Sequence, residues 1–320
     1  MARPSLLHPA ALAAMLSLLG VLALGCAAAA LVPYRPVEVE GTTPPGPPYT
    51  LPPPRQGLRL HVFNTAMNRM SSLLVGSQRP WRPAPAFVLE HPTQGLVLFD
   101  AGISPEVARE GERALPVPLQ WLIESRGREE RLLTAQLHEA GLRVEDVRQV
   151  LVSHLHEDHV GELGAFQQAR IIGGPGTAGF AAEHGWTERW HEESFEGARP
   201  FPPFDASVDL FGDGSVVLLA GGGHTREDLL AWVSLPSGPV LLAGDAVVHR
   251  DWLESQDVQR IASKPQRAAD VRNQVRALLS ARPDVVLLAG HDLRGIPMDR
   301  EDLRVHHPEW LTPEAWPVSP

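Results

Sequence analysis

Cysteine is nearly absent from this 320-residue chain, which contains only Cys26. A single cysteine cannot form an intramolecular disulfide, so the redox compartment cannot be read from bridges. One thiol also excludes metal sites built from several cysteines, and Cys26 lies far along the chain from the candidate ligands described below. Neither a cysteine nor a serine nucleophile is indicated by the sequence.

Basic residues are scarce relative to acidic ones: 28 Lys and Arg oppose 38 Asp and Glu, a formal net charge of −10. This balance argues against a surface that binds nucleic acid. With 43% hydrophobic residues the chain can bury one substantial core. One domain with accessory segments is therefore predicted, and no feature of the sequence specifies an oligomeric state.

Charge is also missing from residues 10–32, a largely apolar stretch. In one interpretation residues 1–25 form a secretion signal, because Leu24-Gly25-Cys26 resembles the end of a bacterial lipoprotein signal in which Cys26 is lipidated. In the other the stretch stays uncleaved, since about 20 apolar residues can span a membrane. Both interpretations predict an exported protein with an N-terminal membrane anchor, facing the periplasm or the cell exterior.

The following segment, residues 26–57, has nine prolines between Pro33 and Pro54 and is predicted to be an extended tether. A globular region is predicted over 58–300. Beyond about Arg300 the apolar periodicity is lost, which predicts a loose tail over 301–320 with His306 and His307 exposed to solvent.

Within the globular region, period-two and period-3.6 patterns predict the main elements. Strands are expected at 58–63, 86–90, 96–100, 169–173, 229–235 and 240–243, and helices at 129–140 and 267–281. Four aromatic residues lie in the irregular segment that follows residue 173. They could wall a substrate cleft, but a local core is the more common role; they are Trp186, Trp190, Phe195 and Phe201.

The densest chemical signal is the stretch Ser153-His154-Leu155-His156-Glu157-Asp158-His159, directly after the apolar run 149–152. Neutral imidazole nitrogens and carboxylate oxygens are ligands that Zn²⁺ accepts. So many of these groups close together would repel one another if they were protonated and buried without a cation. A solvated histidine-rich loop is the alternative, and matching residues downstream argue against it.

Three further residues follow short apolar runs in the same way. The runs 216–220, 240–243 and 285–289 lead through glycine to His224, Asp245 and His291. A lone histidine after a strand is usually a structural residue. Four strand ends that carry only these residue types predict one shared metal site.

As a set, these motifs resemble the metallo-β-lactamase superfamily over roughly residues 58–300. They are His154-x-His156-x-Asp158-His159, Gly223-His224-Thr225, Gly244-Asp245-Ala246 and Gly290-His291-Asp292. The ligand intervals of 65, 21 and 46 residues, counted from His159 onward, most resemble the N-acyl homoserine lactonase branch. The resemblance implies an α/β fold, a four-layer αβ/βα sandwich.

The resemblance also implies a dinuclear site for two Zn²⁺, although manganese, iron or cobalt would suit similar ligands. One cation would be held by His154, His156 and His224, and the other by Asp158, His159 and His291. Asp245 and a hydroxide would span both, and the hydroxide would attack a carbonyl of a small-molecule lactone or ester. Asp158 would carry a proton to the leaving group.

Asp100, in Asp100-Ala101-Gly102, resembles an element that supports the metal ligands in this superfamily, and a simple turn or cap is an equal alternative. The lactonases carry a tyrosine three residues after the bridging aspartate, where this chain has Val248. His249 and Arg250 are possible substitutes as substrate contacts, or else surface residues. Glu162 and the pair Glu227-Asp228 also depart from the lactonase pattern.

These departures leave two alternatives to a lactonase or esterase. Thioester hydrolases of the glyoxalase II kind share the same seven ligands. A non-catalytic, exported domain that binds zinc or a ligand without turnover is the other alternative. A closed coordination shell would favour that second one, because catalytic zinc sites keep an open position.

Overall fold

A computed structural model describes residues 51–71, 81–254 and 261–316, all of them in a unit that spans residues 37–320. The predicted export segment and most of the predicted tether lie outside the described residues. Among the helices that are described, none combines the length and the apolar character needed to cross a membrane.

The described residues form fourteen strands and five α-helices, joined by loops and short 3-10 helices. The strands are β1 (Arg59–Met70), β2 (Trp81–His91), β3 (Gly95–Phe99), β4 (Ile123–Gly127), β5 (Val147–Leu151), β6 (Arg170–Gly173), β7 (Trp190–Glu192), β8 (Arg199–Phe201), β9 (Phe204–Asp209), β10 (Val216–Ala220), β11 (Leu229–Val233), β12 (Val240–Leu242), β13 (Val286–Leu288) and β14 (Leu303–Val305). The helices are α1 (Pro105–Glu110), α2 (Leu133–Glu139), α3 (Glu157–Val160), α4 (Ala178–Glu183) and α5 (Pro265–Ala281).

The strands form two mixed sheets. The first has the order β14-β1-β2-β3-β5-β6-β7, with β4 paired to the distal part of β1. The second has the order β13-β12-β11-β10-β9-β8 and is antiparallel except for the pair β12 and β13. The predicted strands at 86–90 and 96–100 form one antiparallel hairpin, β2 with β3, and those at 229–235 and 240–243 form another, β11 with β12.

The main core lies between the two sheets, and strand alternation explains its composition. In β3, Val97 and Phe99 point into this core, whereas Leu96 and Leu98 point to the outer face of the sheet. Successive side chains of a strand alternate between faces, so a strand buried on both faces needs a continuous apolar run. Each fully buried aliphatic side chain contributes roughly 1.5 to 3 kcal/mol to stability.

Helices cover the outer face of each sheet. Leu133 and Leu137 of α2 pack on the first sheet, and Val271, Val275 and Leu278 of α5 pack on the second. The layers therefore run helix, sheet, sheet, helix. This confirms the predicted four-layer αβ/βα sandwich and places α5 at 265–281, close to the predicted 267–281.

The predicted helix at 129–140 is only partly present. A 3-10 turn covers Glu129–Arg131, and Leu132 adopts an extended conformation before α2 begins at Leu133. Extended ψ at Leu132 breaks the helical hydrogen-bond ladder, and the buried Leu132 packs beneath α1 instead. The amphipathic period continued through this break in the sequence, which is why the pattern missed it.

The predicted loose tail is wrong up to residue 316. β14 pairs in parallel with β1, and His306 is buried, with its Nε2 2.9 Å from Nδ1 of His61. We call His61 and His306 the edge pair. His307 is partly buried and stacks on Trp310.

The end of the predicted tether also contacts the domain. Leu51 packs against the core beneath α5, and the backbone N–H of Arg55 donates to the carbonyl of Ser234 at 2.8 Å. Residues 51–57 are therefore packed against the domain, which begins before Leu58. The four aromatic residues of the irregular segment pack into the cores, which confirms the local-core interpretation.

Candidate metal centre

The candidate site lies where the carboxyl ends of four strands meet. β12 and β13 are parallel, and β10 runs in the direction of β12 because both are antiparallel to β11. Their carboxyl ends therefore share one edge of the second sheet, and each leads to one of His224, Asp245 and His291. The first sheet contributes β5, which leads to His154 and then to α3.

Seven side chains from these loops form what we call the ligand cluster. They divide into two groups, each with donor atoms within 4.8 Å of one another: His154, His156, His224 and Asp245, and Asp158, His159 and His291. These are the seven residues that the sequence predicts as ligands. Within the described residues, no other group of three or more His, Cys, Asp or Glu side chains meets the same criterion.

Three imidazoles converge in the first group. Nδ1 of His156 lies 2.8 Å from Nε2 of His154 and 3.1 Å from Nε2 of His224. His154 and His224 are buried, and His156 is exposed toward solvent. Burial lowers the pKa of His154 well below its ordinary value, because a buried charge is costly and neighbouring histidines would repel it. Its imidazole is therefore neutral, as a metal ligand must be.

Asp245 lies between the two groups and presents one oxygen to each. Its Oδ2 is 3.4 Å from Nε2 of His224 and 3.9 Å from Nε2 of His154. Its Oδ1 is 3.3 Å from Nε2 of His291 and 3.7 Å from Nε2 of His159. Burial opposes its charge, but His291, His224 and His159 hold the pKa of this carboxyl well below its usual range. The carboxylate is therefore ionised.

Asp100 orients the second group through His159. Its Oδ2 accepts from Nδ1 of His159 at 2.8 Å, and its oxygens also accept from the backbone N–H and hydroxyl of Ser153 at 2.7 and 2.8 Å. Asp100 adopts φ 66°, a left-handed conformation that aspartate tolerates better than most residues. These contacts leave Nε2 of His159 directed into the cluster, and the supporting role of Asp100 stays a prediction.

The donor set fits a divalent cation. Nε2 of His159 is buried and has no hydrogen-bond partner among the described residues, which is costly unless another species satisfies it. Zinc bound tetrahedrally at about 2.0 to 2.1 Å holds its nitrogen ligands roughly 3.3 Å apart, close to the spacings given above. Burial opposes a charge on His159, but Asp100 and Asp158 raise its pKa to about 10. A cation must displace that proton, so binding here weakens as the pH falls.

Two positions beside the cluster require glycine, because neighbouring atoms leave no room for a Cβ. A Cβ at Gly290, directly before His291, would lie 2.1 Å from Oδ1 of Asp245. A Cβ at Gly161, directly after α3, would lie 2.0 Å from the backbone carbon of Ile103. A side chain at either position would displace a ligand-bearing loop.

A cavity of about 310 Å³ opens beside the ligand cluster. His156, Asp158, Asp245 and His291 line one end of it. Much of the remaining wall is apolar, including Ile103, Val107, Leu115, Leu119, Ile123 and Leu155. A ligand in this cavity would place one part against the polar cluster and another against hydrocarbon.

The three residues predicted as substrate contacts have different positions. Val248 lines this cavity. His249 is buried and lines a neighbouring cavity of about 560 Å³ instead. Arg250 lines neither cavity, because its guanidinium turns to the carbonyl of Leu287 at 2.5 Å. Arg250 is therefore not placed to contact a ligand at the cluster.

Sequence patterns missed two polar residues that lie directly beside the cluster. Nδ2 of Asn68 donates to Oδ2 of Asp158 at 2.9 Å, and the hydroxyl of Ser125 donates to Oδ1 of Asn68 at 2.7 Å. Asn68 lies in β1 and Ser125 in β4, and these strands pair. Neither position carries a motif, because the contact depends on pairing between strands that are distant in the chain.

The acidic departures from the lactonase pattern hold loops in place. Asp228 accepts from the backbone N–H groups of His224 and Thr225, both at 2.9 Å, and fixes the loop that carries His224. Burial raises the pKa of Asp228 to about 7. Glu162 accepts from the hydroxyl of Thr134 at 2.6 Å and joins the segment after α3 to α2.

A family model described as "Metallo-beta-lactamase superfamily" matches residues 79–291, which is more than half of the chain.

Individual relatives agree with that family match. An N-acyl homoserine lactonase, AttM, from Azorhizobium caulinodans is 29% identical over 251 residues, covering 73% of this chain and 89% of the relative. A crystal structure of a B. thuringiensis AiiA mutant with N-decanoyl-L-homoserine bound at the active site superposes with a TM-score of 0.60. It is 20% identical and covers 76% of this chain and 94% of that chain. AidC, described as a dizinc quorum-quenching lactonase, has a TM-score of 0.50 at 12% identity, covering 73% and 87%.

Proposed function

The chain belongs to the metallo-β-lactamase superfamily and is a metal-dependent hydrolase, and from that premise we propose that it holds two divalent cations and hydrolyses a lactone or ester. The position of Asp245 carries this proposal. Each of its two oxygens faces a different group of imidazoles, within 3.3 to 3.9 Å. A carboxylate shared in this way offsets the repulsion between two neighbouring cations.

The residues of the cluster divide the work of holding the cations. His154, His156 and His224 would hold one, Asp158, His159 and His291 the other, and Asp245 both. Two bound cations supply a water of lowered pKa and polarise the substrate carbonyl. Zinc suits these nitrogen and oxygen ligands, and AidC is described as a dizinc enzyme.

Asp158 is the residue placed to move a proton. It is partly exposed and lines the cavity, whereas Asp245 is buried among imidazoles. Burial opposes its charge, but His159 and His291 lower its pKa, so it is ionised and able to accept a proton. The amide of Asn68 donates to Oδ2 of Asp158 and holds this carboxylate at the edge of the cavity. In the proposed reaction Asp158 takes the proton of the attacking water and returns it to the leaving oxygen.

The cavity supports a substrate with an acyl or other apolar part. A carbonyl at the ligand cluster would leave its substituent against Ile103, Val107 and Leu119. The relatives named as N-acyl homoserine lactonases favour a lactone, and the hydrophobic wall suits an acyl chain. We therefore propose lactones and aliphatic esters as the substrate class.

The test is a substrate panel run with metal analysis. Purified protein is assayed on lactones, aryl esters, thioesters and phosphoesters before and after treatment with a chelator, and metal content is measured in parallel. The proposal predicts two cations per chain and chelator-sensitive cleavage of a lactone or ester, restored by added zinc. Preferential thioester cleavage would move the function to the glyoxalase II kind. Two bound cations without turnover across the panel would overturn the enzymatic proposal.

A further inference from the structure

An arginine outside the ligand cluster lines the same cavity. Arg82 lies in β2 opposite Asn68 of β1, and only 2% of it is exposed to solvent. The next residue, Pro83, accepts from Nδ1 of His291 through its carbonyl at 2.6 Å. Arg82 is therefore on a rigid strand, directly beside a residue that positions the cluster.

Among the described residues, most donors of the Arg82 guanidinium have no partner. Nη1 lies 3.5 Å from the sulfur of Met70, a weak acceptor, and Nε and Nη2 have no hydrogen-bond partner in the part of the chain that the structure describes. Across residues 51–71, 81–254 and 261–316, no carboxylate forms an ion pair with Arg82. A buried, unpaired guanidinium is costly, so a site that retains one usually satisfies it with a ligand.

The identity of the two unpaired atoms indicates the shape of that ligand. The N–H of Nε and one N–H of Nη2 lie parallel on the same edge of the planar guanidinium. This edge matches the two oxygens of a carboxylate, which accept both hydrogen bonds at once. Arginine at such a position gives geometric selection as well as charge.

The charges around Arg82 are compatible with a bound carboxylate. Asp245 and Asp158 are the nearby acids that favour the charged form of Arg82, but in the proposed function both bind the cations. Two cations outweigh the charge of these carboxylates, so the metal-loaded cavity combines positive charge at the cluster with the positive charge of Arg82. An anionic ligand is attracted to such a cavity and a cationic one is repelled.

We propose that Nε and Nη2 of Arg82 bind a carboxylate of the substrate, so that the natural substrate is an ester or lactone carrying both a carboxylate and an apolar group. The apolar group would lie on the wall formed by Ile103, Val107 and Leu119. This inference rests on the proposed function, because it assigns a substrate class to the same site. Arg82 is then a specificity-determining residue for that reaction.

A binding measurement tests Arg82 without turnover. Isothermal titration calorimetry of the zinc-loaded protein compares N-octanoylglycine, which has a carboxylate and an acyl chain, with its neutral amide, N-octanoylglycinamide. Arg82→Met is expected to weaken binding of the acid about 10- to 100-fold, and Arg82→Lys by less, because lysine keeps the charge and loses the paired donors. Binding of the amide should change by less than about 3-fold, which also shows that the variants fold.

The matched control is Arg272→Met. Arg272 is also buried, at 5% exposure, but it lies on α5 and does not line the cavity. This variant should bind the acid as the wild type does. Equal affinity of Arg82→Met and wild type for N-octanoylglycine would overturn the proposal, since it would mean that the cations alone bind the carboxylate.

A kinetic arm separates this inference from the proposed function. Mono(4-nitrophenyl) glutarate and 4-nitrophenyl valerate have similar acyl chains, but only the first carries a free carboxylate. Wild type should prefer the glutarate by at least about 10-fold in kcat/KM, and Arg82→Met should lose that preference because its kcat/KM for the glutarate falls more than its kcat/KM for the valerate. Cleavage of neither ester would count against the proposed function, while the calorimetry would still decide the role of Arg82.

Discussion

Two groups of histidines in this protein contain a similarly short contact between ring nitrogens, but the side chains around the two contacts differ. In the ligand cluster, Nε2 of His154 lies 2.8 Å from Nδ1 of His156; in the edge pair, Nδ1 of His61 lies 2.9 Å from Nε2 of His306. The cluster adds further imidazoles and two carboxylates directed at the same centre.

The edge pair has no such centre. His61 uses its second nitrogen on Glu90 at 2.6 Å, and the ring of His306 stacks on Phe63 with centroids 4.4 Å apart. Its nitrogens therefore form a chain of hydrogen bonds, and their directions diverge. Close histidines alone do not make a metal site; a shared centre with ionised carboxylates does.

The largest expected effect comes from removing the carboxylate that both groups of the cluster share. Asp245→Ala should reduce hydrolysis by roughly 10³-fold or more, because both cations lose a ligand. Bound metal, measured by plasma mass spectrometry, should fall below two per chain. His306→Ala removes a histidine of the edge pair and should keep two; equal metal loss in both variants would erase the distinction between the groups.

A smaller effect is expected when a cluster carboxylate keeps its shape and loses its ability to carry a proton. Asp158→Asn should lower kcat by about 10²-fold, because the amide cannot relay a proton to the leaving oxygen. Steady-state kinetics on an ester with a poor leaving group should show the full effect. An activated 4-nitrophenyl ester should show less of it, and an equal loss on both esters would contradict the proton-transfer role.

The carboxylate partners of the two groups can be compared directly. Asp100 accepts from His159 at 2.8 Å, as Glu90 accepts from His61 at 2.6 Å. Asp100→Asn should weaken metal binding about 10- to 100-fold, because it removes the charge that orients a ligand imidazole. Competition with a chromophoric chelator measures this affinity. Glu90→Gln is the matched control and should leave it unchanged.

The edge pair should instead determine part of the acid sensitivity of the fold. Burial, together with the charge of His61, lowers the pKa of His306 from 6.5 to about 4. Between these values the unfolded chain binds a proton that the folded chain rejects, so stability falls as the pH drops from 6.5 toward 4.

His306→Gln should remove that contribution. When the pH falls from 7 to 5, the unfolding free energy of the wild type should decrease by up to about 2 kcal/mol more than that of the variant. Urea denaturation of chelator-treated protein at the two pH values measures this difference. Parallel pH profiles for the two proteins would show that His306 titrates normally.

The sequence predicted that these seven residues gather, because each segment that carries them follows a strand, and parallel strand ends converge on one edge. It predicted the core strands because strands that are buried on both faces have continuous apolar runs. It predicted α5 because an amphipathic helix has apolar residues at a helical period. The sequence could not predict Asn68 and Arg82, because their roles depend on how β1, β2 and β4 pair. The interpretation of His306 as exposed failed for a related reason: β14 is three residues long and too short to show a period.

The parallel pairing of β14 with β1 has a consequence for biosynthesis. Leu303 lies beside Leu60 and Val305 beside Val62, so the edge of β1 is completed by the strand that leaves the ribosome after all the other described strands. Until then the nascent chain exposes unpaired backbone at Leu60 to Val62, an edge that can recruit other chains. A newly made molecule would therefore gain most from chaperone shielding in the interval before β14 leaves the ribosome and pairs with β1.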